Sequence, residues 1–410
     1  MAQSPANNTS TARARVREVL PNLFLGWHST GPLNSFTDVP GVLVHTQSIH
    51  RPANHNPARP ASVINTGVTT ILPRRDWFDN ACYSAIFSFN GSGELTGSHW
   101  INETGLLISP IVLTNSFSVG AAYNGIYQYM MREYADKETG LADGFLLPVV
   151  GETFDGAMND IGAMVVTPEM VVEGIDKASS ESVQEGNSGG GTGMLTMGFK
   201  AGTGSASRMV DGVVRGEQKQ FVVGCLVQSN FGKARDLRFG SVPVGRLFQQ
   251  EDEARQKTNL EQGVDLANRK KDGSIIVVLA TDAPLHPTQL ARLVKRATVG
   301  LARTGGFGSN TSGDVFIAFS TASKVPHEPP LAKGLTRNEA LFTATVEQSV
   351  DVVQDTTING LFEAAAEAVE ESILNALCMA ETMEGPKAFK AEAIDLERLK
   401  KVVEQYGGGR

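Results

Sequence analysis

The feature that most constrains this fold is an uninterrupted apolar run, IIVVLA, at residues 275–280. A short run with no polar residue predicts a buried strand. The run follows directly on Gly273 and Ser274, where a densely charged segment ends. An ordinary Asp-Gly turn that leads into a core strand explains this junction, and the dipeptide Gly-Ser occurs six times in the chain. The junction alone therefore assigns no function.

Further strands and helices are predicted from apolar spacing and turn residues. They are strands ending near 156, at 220–232 and at 314–321, and helices at 116–134 with Ser116 as its cap, at 287–304 and at 359–383. They follow no steady β-α-β rhythm, so a layered α/β or α+β sandwich is predicted in preference to a doubly wound sheet. Residues 1–36 are predicted to form an N-terminal extension with a frayed start, and 37–410 a single domain. The charged segment 249–272 predicts an exposed excursion that tolerates cleavage.

Composition argues against several classes of protein. The net charge is −8 and no cluster of Lys and Arg is evident, which argues against nucleic-acid binding. No apolar stretch reaches about 18 residues, so a membrane span is not expected. The start of the chain lacks the apolar core of a signal peptide, and the cytoplasm is the expected location. Three widely separated cysteines, Cys82, Cys225 and Cys378, predict buried thiols in a reducing compartment.

Cofactor and metal motifs are missing from the sequence. The glycine-rich belt at 186–208 lacks a Gly-Lys-Ser/Thr ending and a preceding apolar strand, so neither a phosphate loop nor a dinucleotide fingerprint fits. Tight packing, or main-chain amides that line a pocket, remain as roles for this belt. His45, His50 and His55 share no face of a helix or strand, and neither H-E-x-x-H nor C-x-x-C occurs. No metal and no organic cofactor is expected.

Ser274 becomes a candidate nucleophile if the chain is cleaved directly before it. A serine hydroxyl needs a base, and no G-x-S-x-G elbow indicates a conventional triad. Cleavage would free the α-amino group of Ser274, which is less basic than a lysine and is tethered to the hydroxyl that it must deprotonate. The serine can attack the preceding carbonyl itself, and Gly273 offers little bulk there. On these local features alone, an ordinary turn stays the simpler interpretation.

The blocks around the junction change this balance. NSGGGTGMLTMGFKAGTGSASR, VQSNFG, FGSVPVGR, DGSIIVVLATDAPLHPTQLARLVKRATVGLARTGG and SGDVFIAFST follow one another in this order. Together with TDVPGVLVHT, GVTTILPR and PVVGETFDGAMNDIGAM, they resemble the L-aminopeptidase/D-esterase and β-aminopeptidase family, often called the DmpA family, over roughly residues 35–380.

The resemblance implies a fold and a processing event. It implies an N-terminal nucleophile hydrolase with a four-layer αββα sandwich, made as one precursor that cleaves itself before a serine. The products would be an α chain, residues 1–273, and a β chain, residues 274–410, which stay associated. Similar enzymes assemble into higher oligomers, commonly tetramers of the αβ pair.

The resemblance also implies catalytic residues. Ser274 matches the nucleophile that forms the acyl-enzyme. Asn230 matches the asparagine whose side-chain amide stabilises the oxyanion. Ser312 and Asp314 match the serine and the acidic residue that orient the free amine and support proton transfer; some relatives carry glutamate at the second position.

Two further matches concern the substrate. Glu152, in ETFDG, matches a carboxylate that receives the ammonium group of the substrate, which would explain a requirement for a free N-terminus. Phe154 stands where some relatives carry a tyrosine near the oxyanion, so a hydroxyl is missing there.

The leading hypothesis is a self-processing aminopeptidase that acts on short peptides, amides or esters. One alternative is an acyltransferase of the ornithine acetyltransferase type, whose nucleophile is a threonine; the serine and the SGD block disfavour it. Another alternative is an inactive scaffold of the same fold that never cleaves. Pocket shape decides between L-α-, D- and β-amino acid substrates.

Overall fold

Two β-sheets form the centre of the computed structural model, which describes residues 12–142, 144–258, 273–327, 345 and 347–407. The strands are β1 Leu43–Arg51, β2 Ile64–Leu72, β3 Asn80–Gly91, β4 Leu106–Leu107, β5 Ile111–Asn115, β6 Val149–Thr153, β7 Leu195–Thr196, β8 Phe199–Lys200, β9 Thr203–Val214, β10 Glu217–Asn230, β11 Ser274–Thr281, β12 Gly313–Pro326, β13 Met383–Glu384 and β14 Lys390–Ala391. The helices are α1 Val16–Val19, α2 Ser98–Thr104, α3 Val119–Tyr134, α4 Pro168–Lys177, α5 Val244–Thr258, α6 Pro287–Val294, α7 Ala297–Arg303, α8 Asn359–Cys378 and α9 Leu396–Tyr406.

The larger sheet has six strands and contains the apolar run at its centre. Its order is β4-β3-β12-β11-β10-β9, and the smaller sheet has the order β1-β2-β5-β6. Strand β11 is parallel to β12 and antiparallel to β10. Every residue of β11 is buried. The buried strand predicted from the sequence is therefore confirmed.

Three apolar clusters separate four layers of structure. Ile276 and Val278 of β11 face the smaller sheet and pack in one cluster with Leu113. Val277 and Leu279 alternate to the opposite face and pack in a cluster with residues of α6, α7 and α8. Helices α3 and α4 cover the outer face of the smaller sheet in the third cluster. This is the expected αββα sandwich, and none of the described helices is long and apolar enough to cross a membrane.

The N-terminal segment contributes buried residues to the core from Val16 onward. Val16 and Leu20 are buried in the same cluster as α8, and the main-chain N–H of Val16 donates to Asn375 Oδ1 at 3.0 Å. The prediction of a frayed start was therefore wrong for residues 12–20, while 1–11 lie outside the described residues. Because α1 is only four residues long, it shows no repeating apolar pattern from which its burial against α8 could be predicted.

Several predicted boundaries also shift. Helix α3 begins at Val119 after a 3₁₀ turn, and the side chain of Asn115, not Ser116, caps that turn by accepting from Phe117 N. The helix predicted at 287–304 is broken into α6 and α7, whose buried faces continue across the break. In the excursion predicted at 249–272, residues 249–258 belong to α5, and 259–272 lie outside the described residues. The three cysteines are free and buried, as predicted.

A buried ion network ties α8 to the N-terminal half of the chain. Arg208 of β9 is fully buried and donates to Glu367 at 3.1 Å and to Glu371 at 2.6 Å. Glu371 also pairs with Arg17 at 2.8 Å, and Glu367 accepts a hydrogen bond from Trp27 N at 2.7 Å. Both glutamates belong to the predicted β chain and both arginines to the predicted α chain. The network therefore links the two predicted chains.

Removal of the central cation should destabilise the protein strongly. Arg208→Met leaves two buried carboxylates without their shared partner, and we expect a loss of about 3–5 kcal/mol in the free energy of unfolding. The measurement is a urea unfolding curve at neutral pH. The control is Arg215→Met, whose arginine pairs with Asp351 on the surface at 3.3 Å and whose unfolding midpoint should not move measurably. Equal midpoints for both variants would contradict a structural role of the network.

Candidate active site

Strand register brings Ser274 and Asn230 together. Ser274 is the first residue of β11 and pairs directly with Asn230, the last residue of β10. Directly opposed residues of antiparallel strands have Cα atoms about 4.5–5.5 Å apart. Only 7% of Ser274 and 8% of Asn230 is exposed. A hydroxyl and a carboxamide are thus held beside each other with little access to solvent.

The parallel neighbour β12 contributes an acidic residue. Asp314 lies opposite Ile275, Ser312 Oγ donates to Asp314 Oδ1 at 2.6 Å, and Gly313 N donates to Ser274 Oγ at 3.1 Å. Among the described residues, the buried Oδ2 of Asp314 has no hydrogen-bond partner. Burial raises the pKa of Asp314 to about 6, against the opposing effects of the Ser312 hydroxyl and of the nearby main-chain N–H of Ile275. An ammonium group formed at the start of β11 would compensate this unpaired oxygen.

The carboxamide of Asn230 is oriented by two main-chain contacts. Its Oδ1 accepts from Leu195 N at 2.9 Å, and its Nδ2 donates to Phe154 O at 2.9 Å. A carboxamide nitrogen carries two hydrogens, so one N–H is left over among the described contacts. A fixed amide donor in a site with little solvent is suited to stabilise a developing oxyanion.

The carboxylate of Glu152 approaches this region from the smaller sheet. Its Oε1 accepts from Glu94 N at 3.1 Å, and its Oε2 accepts from the hydroxyl of Ser116. The preceding residue, Gly93, touches β12, because a Cβ on Gly313 would lie 2.5 Å from Gly93 Cα. Glu152 is therefore connected to β12 through Glu94 and Gly93. Two neutral donors leave its negative charge available to a cation.

Phe154 contributes its main chain and not its ring to the contact with Asn230. The side chain is 46% exposed and lies edge-on to Phe117, with ring centroids 6.4 Å apart. A Cβ on Gly156 would come within 2.5 Å of the Phe154 ring. The two aromatic rings thus form an exposed apolar border.

The junction before Ser274 leaves no room for a side chain at Gly273. A Cβ at this position would lie 1.6 Å from the main-chain oxygen of Asn230. Any other residue would displace the bond that precedes Ser274. In the glycine-rich belt, a Cβ on Gly190 would lie 2.0 Å from Gln228 Oε1, and Leu195 supplies the amide that holds Asn230. Tight packing, one of the two roles left open for the belt, therefore occurs, and one main-chain amide of the belt contacts a side chain of the candidate site.

Sequence reasoning missed the groups that act through the main chain. Leu195, Gly313 and Glu94 contact the site by their amides, so their side chains carried no signal. Ser116 was predicted as a helix cap and instead donates to Glu152. Among the described residues, no group of three or more His, Cys, Asp or Glu could hold a metal ion.

Comparisons with known proteins agree with this architecture. The model of peptidase family S58 matches residues 34–391. The beta-peptidyl aminopeptidase BapA of Sphingosinicella microcystinivorans is 37% identical over 377 residues, which are 92% of this chain and 89% of the relative. The structure of the L-aminopeptidase D-Ala-esterase/amidase of Ochrobactrum anthropi, described as a variant of the Ntn hydrolase fold, matches with a TM-score of 0.80 and 39% identity, over 96% of this chain and 99% of the other. A Burkholderia sp. beta-aminopeptidase structure matches with a TM-score of 0.78 and 34% identity, over 97% and 100%.

The fold and these relatives define an N-terminal nucleophile hydrolase that acts as an aminopeptidase. The chain belongs to peptidase family S58. The family resemblance predicted from the ordered sequence blocks is confirmed.

Substitution of Gly273 should slow cleavage of the chain. In Gly273→Ala the new methyl group would lie 1.6 Å from a main-chain oxygen, so the Gly273–Ser274 bond, where the sequence predicts cleavage, must move away from its position. We expect self-cleavage to slow by at least about 10-fold, since small misplacements of reacting groups carry such losses. The intact fraction is followed on denaturing gels after synthesis. Gly120→Ala, with nothing within 4 Å of the new methyl group, should cleave at the wild-type rate; equal rates for the two variants would contradict the prediction.

The raised pKa of Asp314 predicts a pH dependence of stability in an uncleaved Ser274→Ala chain. The folded chain binds the proton of Asp314 more tightly than the unfolded chain, because its pKa is raised from 3.8 to about 6. The stability contributed by the protonated carboxyl is present below about pH 4 and is lost as the pH rises through about 6. Urea unfolding should show a loss of up to roughly 3 kcal/mol over this window. This loss should be absent when Asp314→Asn is added to the Ser274→Ala chain. If the free energy of unfolding depends on pH in the same way in both chains, the prediction is wrong.

Proposed function

We propose that this aminopeptidase processes itself at the Gly273–Ser274 bond and then uses Ser274 as its nucleophile. The observation that carries the proposal is the position of Ser274 at the first residue of β11, paired with Asn230 and one strand away from Asp314. Cleavage at this bond converts a buried serine into a chain terminus that carries its own base.

Self-cleavage follows from the groups around the bond. Ser274 Oγ attacks the carbonyl carbon of Gly273, and the bond from that carbon to Ser274 N breaks as the acyl group moves to oxygen and the hydroxyl proton passes to the departing nitrogen. Water then hydrolyses the resulting ester. The products are a carboxylate on Gly273, which ends the α chain, and a free amine and hydroxyl on Ser274, which begins the β chain.

Turnover uses the freed amine. The neutral amine of Ser274 accepts the proton of its own hydroxyl while Oγ attacks the carbonyl carbon of the first residue of the substrate. The remaining N–H of Asn230 donates to the oxyanion, a type of contact worth about 2.7–4 kcal/mol at the transition state. The ammonium, held by Asp314 and oriented through Ser312, then protonates the leaving amine. Water hydrolyses the acyl-enzyme and restores the serine.

Glu152 accounts for the choice of a free N-terminus. Its carboxylate would pair with the ammonium group of the bound substrate, and a substrate with a blocked N-terminus would leave a nearly buried charge unpaired. The names of the relatives support peptides, amides and esters as substrates, with L-α-, D-alanyl and β-amino acids as candidates. We propose that the peptides are short.

The same proposal includes assembly and location. The α and β chains remain paired, as the links between Arg208 and α8 favour, and the pairs assemble into a tetramer. The cytoplasm is the proposed location, and neither nucleic acid nor membrane is a proposed partner.

The decisive variant is Ser274→Ala. Denaturing gels should show two chains for the wild type and one intact chain of 43.7 kDa for the variant. The variant should not hydrolyse the p-nitroanilides of L-Ala, D-Ala or β-Ala, whereas the wild type should hydrolyse at least one of them. Ser241→Ala, which also follows a glycine but is exposed, should behave as the wild type.

Two outcomes would overturn the proposal. A wild type that remains one intact band would leave an uncleaved scaffold, and hydrolysis by Ser274→Ala would exclude Ser274 as the nucleophile. Transfer of the acyl group to an added amino acid in preference to water would instead favour an acyltransferase.

A further inference from the structure

Lys200 is a buried cation that the proposed mechanism does not use. Its side chain lies at the end of β8 and is fully buried. Its Nζ donates to two main-chain oxygens, Met194 O at 2.9 Å and Ala201 O at 2.5 Å. Burial, the single cause of the shift, lowers the pKa of Lys200 to about 7. Burial of a charged group without a counter-ion reduces stability. We therefore asked which part of the structure the two hydrogen bonds of Lys200 hold in place.

The two oxygens stand on either side of a short hairpin. Strands β7 and β8 pair through Leu195 with Lys200 and Thr196 with Phe199. Met197 and Gly198 join them with φ of 52° and 80°, the pattern of a tight two-residue turn. Lys200 Nζ therefore closes the open end of this hairpin, hereafter the 194–201 hairpin.

The 194–201 hairpin lies against the end of β10. Leu195 N donates to Asn230 Oδ1 at 2.9 Å. At the two neighbours of Asn230, Thr196 Oγ1 and Ser229 Oγ are 2.7 Å apart, and Met197 N donates to Phe231 O at 2.7 Å. Three consecutive hairpin residues, 195–197, thus contact Asn230 and its two neighbours in the chain. The orientation of its carboxamide depends on where the hairpin main chain lies.

We propose that Lys200 is a positioning residue for the oxyanion donor: it holds the 194–201 hairpin, and the Leu195 amide of that hairpin holds the carboxamide of Asn230. The inference rests on the proposed role of Asn230. It assigns Lys200 no contact with substrate, and its effect on catalysis passes through the main chain.

The charged form of Lys200 should perform this role better than the neutral form. An ammonium group makes charge-assisted hydrogen bonds, which are about twice as strong as neutral ones. No described carboxylate pairs with it: Glu392, whose main-chain oxygen accepts from Lys200 N at 2.8 Å, bonds through its carboxylate to Lys390 and Thr382. The groups that contact the hairpin at Ser229, Asn230 and Phe231 are uncharged, while Asp155, whose pKa burial raises to about 6, lies against Gly193 beside the hairpin. Asp155 is present in the wild type and in every Lys200 variant, so its own titration cancels in the ratio of their kcat values.

The test is Lys200→Met, which keeps the length of the side chain and removes its donors. Self-cleavage and kcat for an alanine p-nitroanilide should both fall by about 10-fold or more, while KM stays within about twofold, because the lost interaction acts at the transition state. The ratio of wild-type to variant kcat should be largest below pH 7 and should shrink as the pH rises through the pKa of Lys200. A ratio that is constant with pH would reduce Lys200 to a purely structural residue and overturn the proposal.

Two matched controls separate positioning from loss of stability. Lys219→Met makes the same change on β10 at a half-exposed lysine paired with Asp282, and it should leave kcat unchanged. Ile373→Val creates a small cavity in the α8 core, costs about 0.5–1.5 kcal/mol of stability, and should also leave kcat unchanged. Thermal unfolding of all variants confirms that each assay is made on folded protein.

Further variants keep the outcome decisive. If Lys200→Met does not fold, Lys200→Gln retains an uncharged donor and should show an intermediate kcat; wild-type kcat in either folded variant overturns the proposal. Asn230→Ala separates the proposed role of Asn230 as oxyanion donor from the proposed role of Lys200 in positioning it. A large loss in Asn230→Ala with none in Lys200→Met rejects only the role of Lys200, whereas wild-type activity in Asn230→Ala rejects the oxyanion role itself.

Discussion

The site depends on one register, the pairing of β10 with β11 that ends at Asn230 and Ser274. Successive side chains of a strand point to opposite faces, so a shift by one residue would send one of these two side chains to the wrong face. The register is well determined because β11 is buried throughout and its two faces fill two different apolar clusters. Burial of the apolar run thus positions a polar pair at its end.

The same sheet explains why cleavage need not separate the chains. In the order β3-β12-β11-β10, the two strands that follow Ser274 lie between two strands that precede it. Separation would break two ladders of hydrogen bonds as well as the contacts of Arg208 with Glu367 and Glu371. The Gly273–Ser274 bond is therefore of little importance to the fold. Its cleavage would create the amine on which the proposed chemistry depends.

Asp314 and Lys200 are buried near the site without a described counter-ion, and both have shifted pKa values. Burial raises the pKa of Asp314 and lowers the pKa of Lys200. Such groups reduce stability when they are charged, yet in a site with little water their electrostatic effect is larger than at the surface. Asp314 lies where a new ammonium group would form, and Lys200 behind the proposed oxyanion donor. This arrangement trades stability for fixed charges and dipoles around the reacting atoms.

Much of the protein could be predicted from the sequence alone. The uninterrupted apolar run determined the central strand, and the ordered blocks determined the family and pointed to the residues that the structure gathers around Ser274. The tertiary structure decided what no side-chain pattern encodes: the packing of Val16 against α8, the break between α6 and α7, and the amides of Leu195 and Gly313 that hold the site. Main-chain groups are the same in every residue except proline, so only the course of the folded chain determines which of them meet a given side chain.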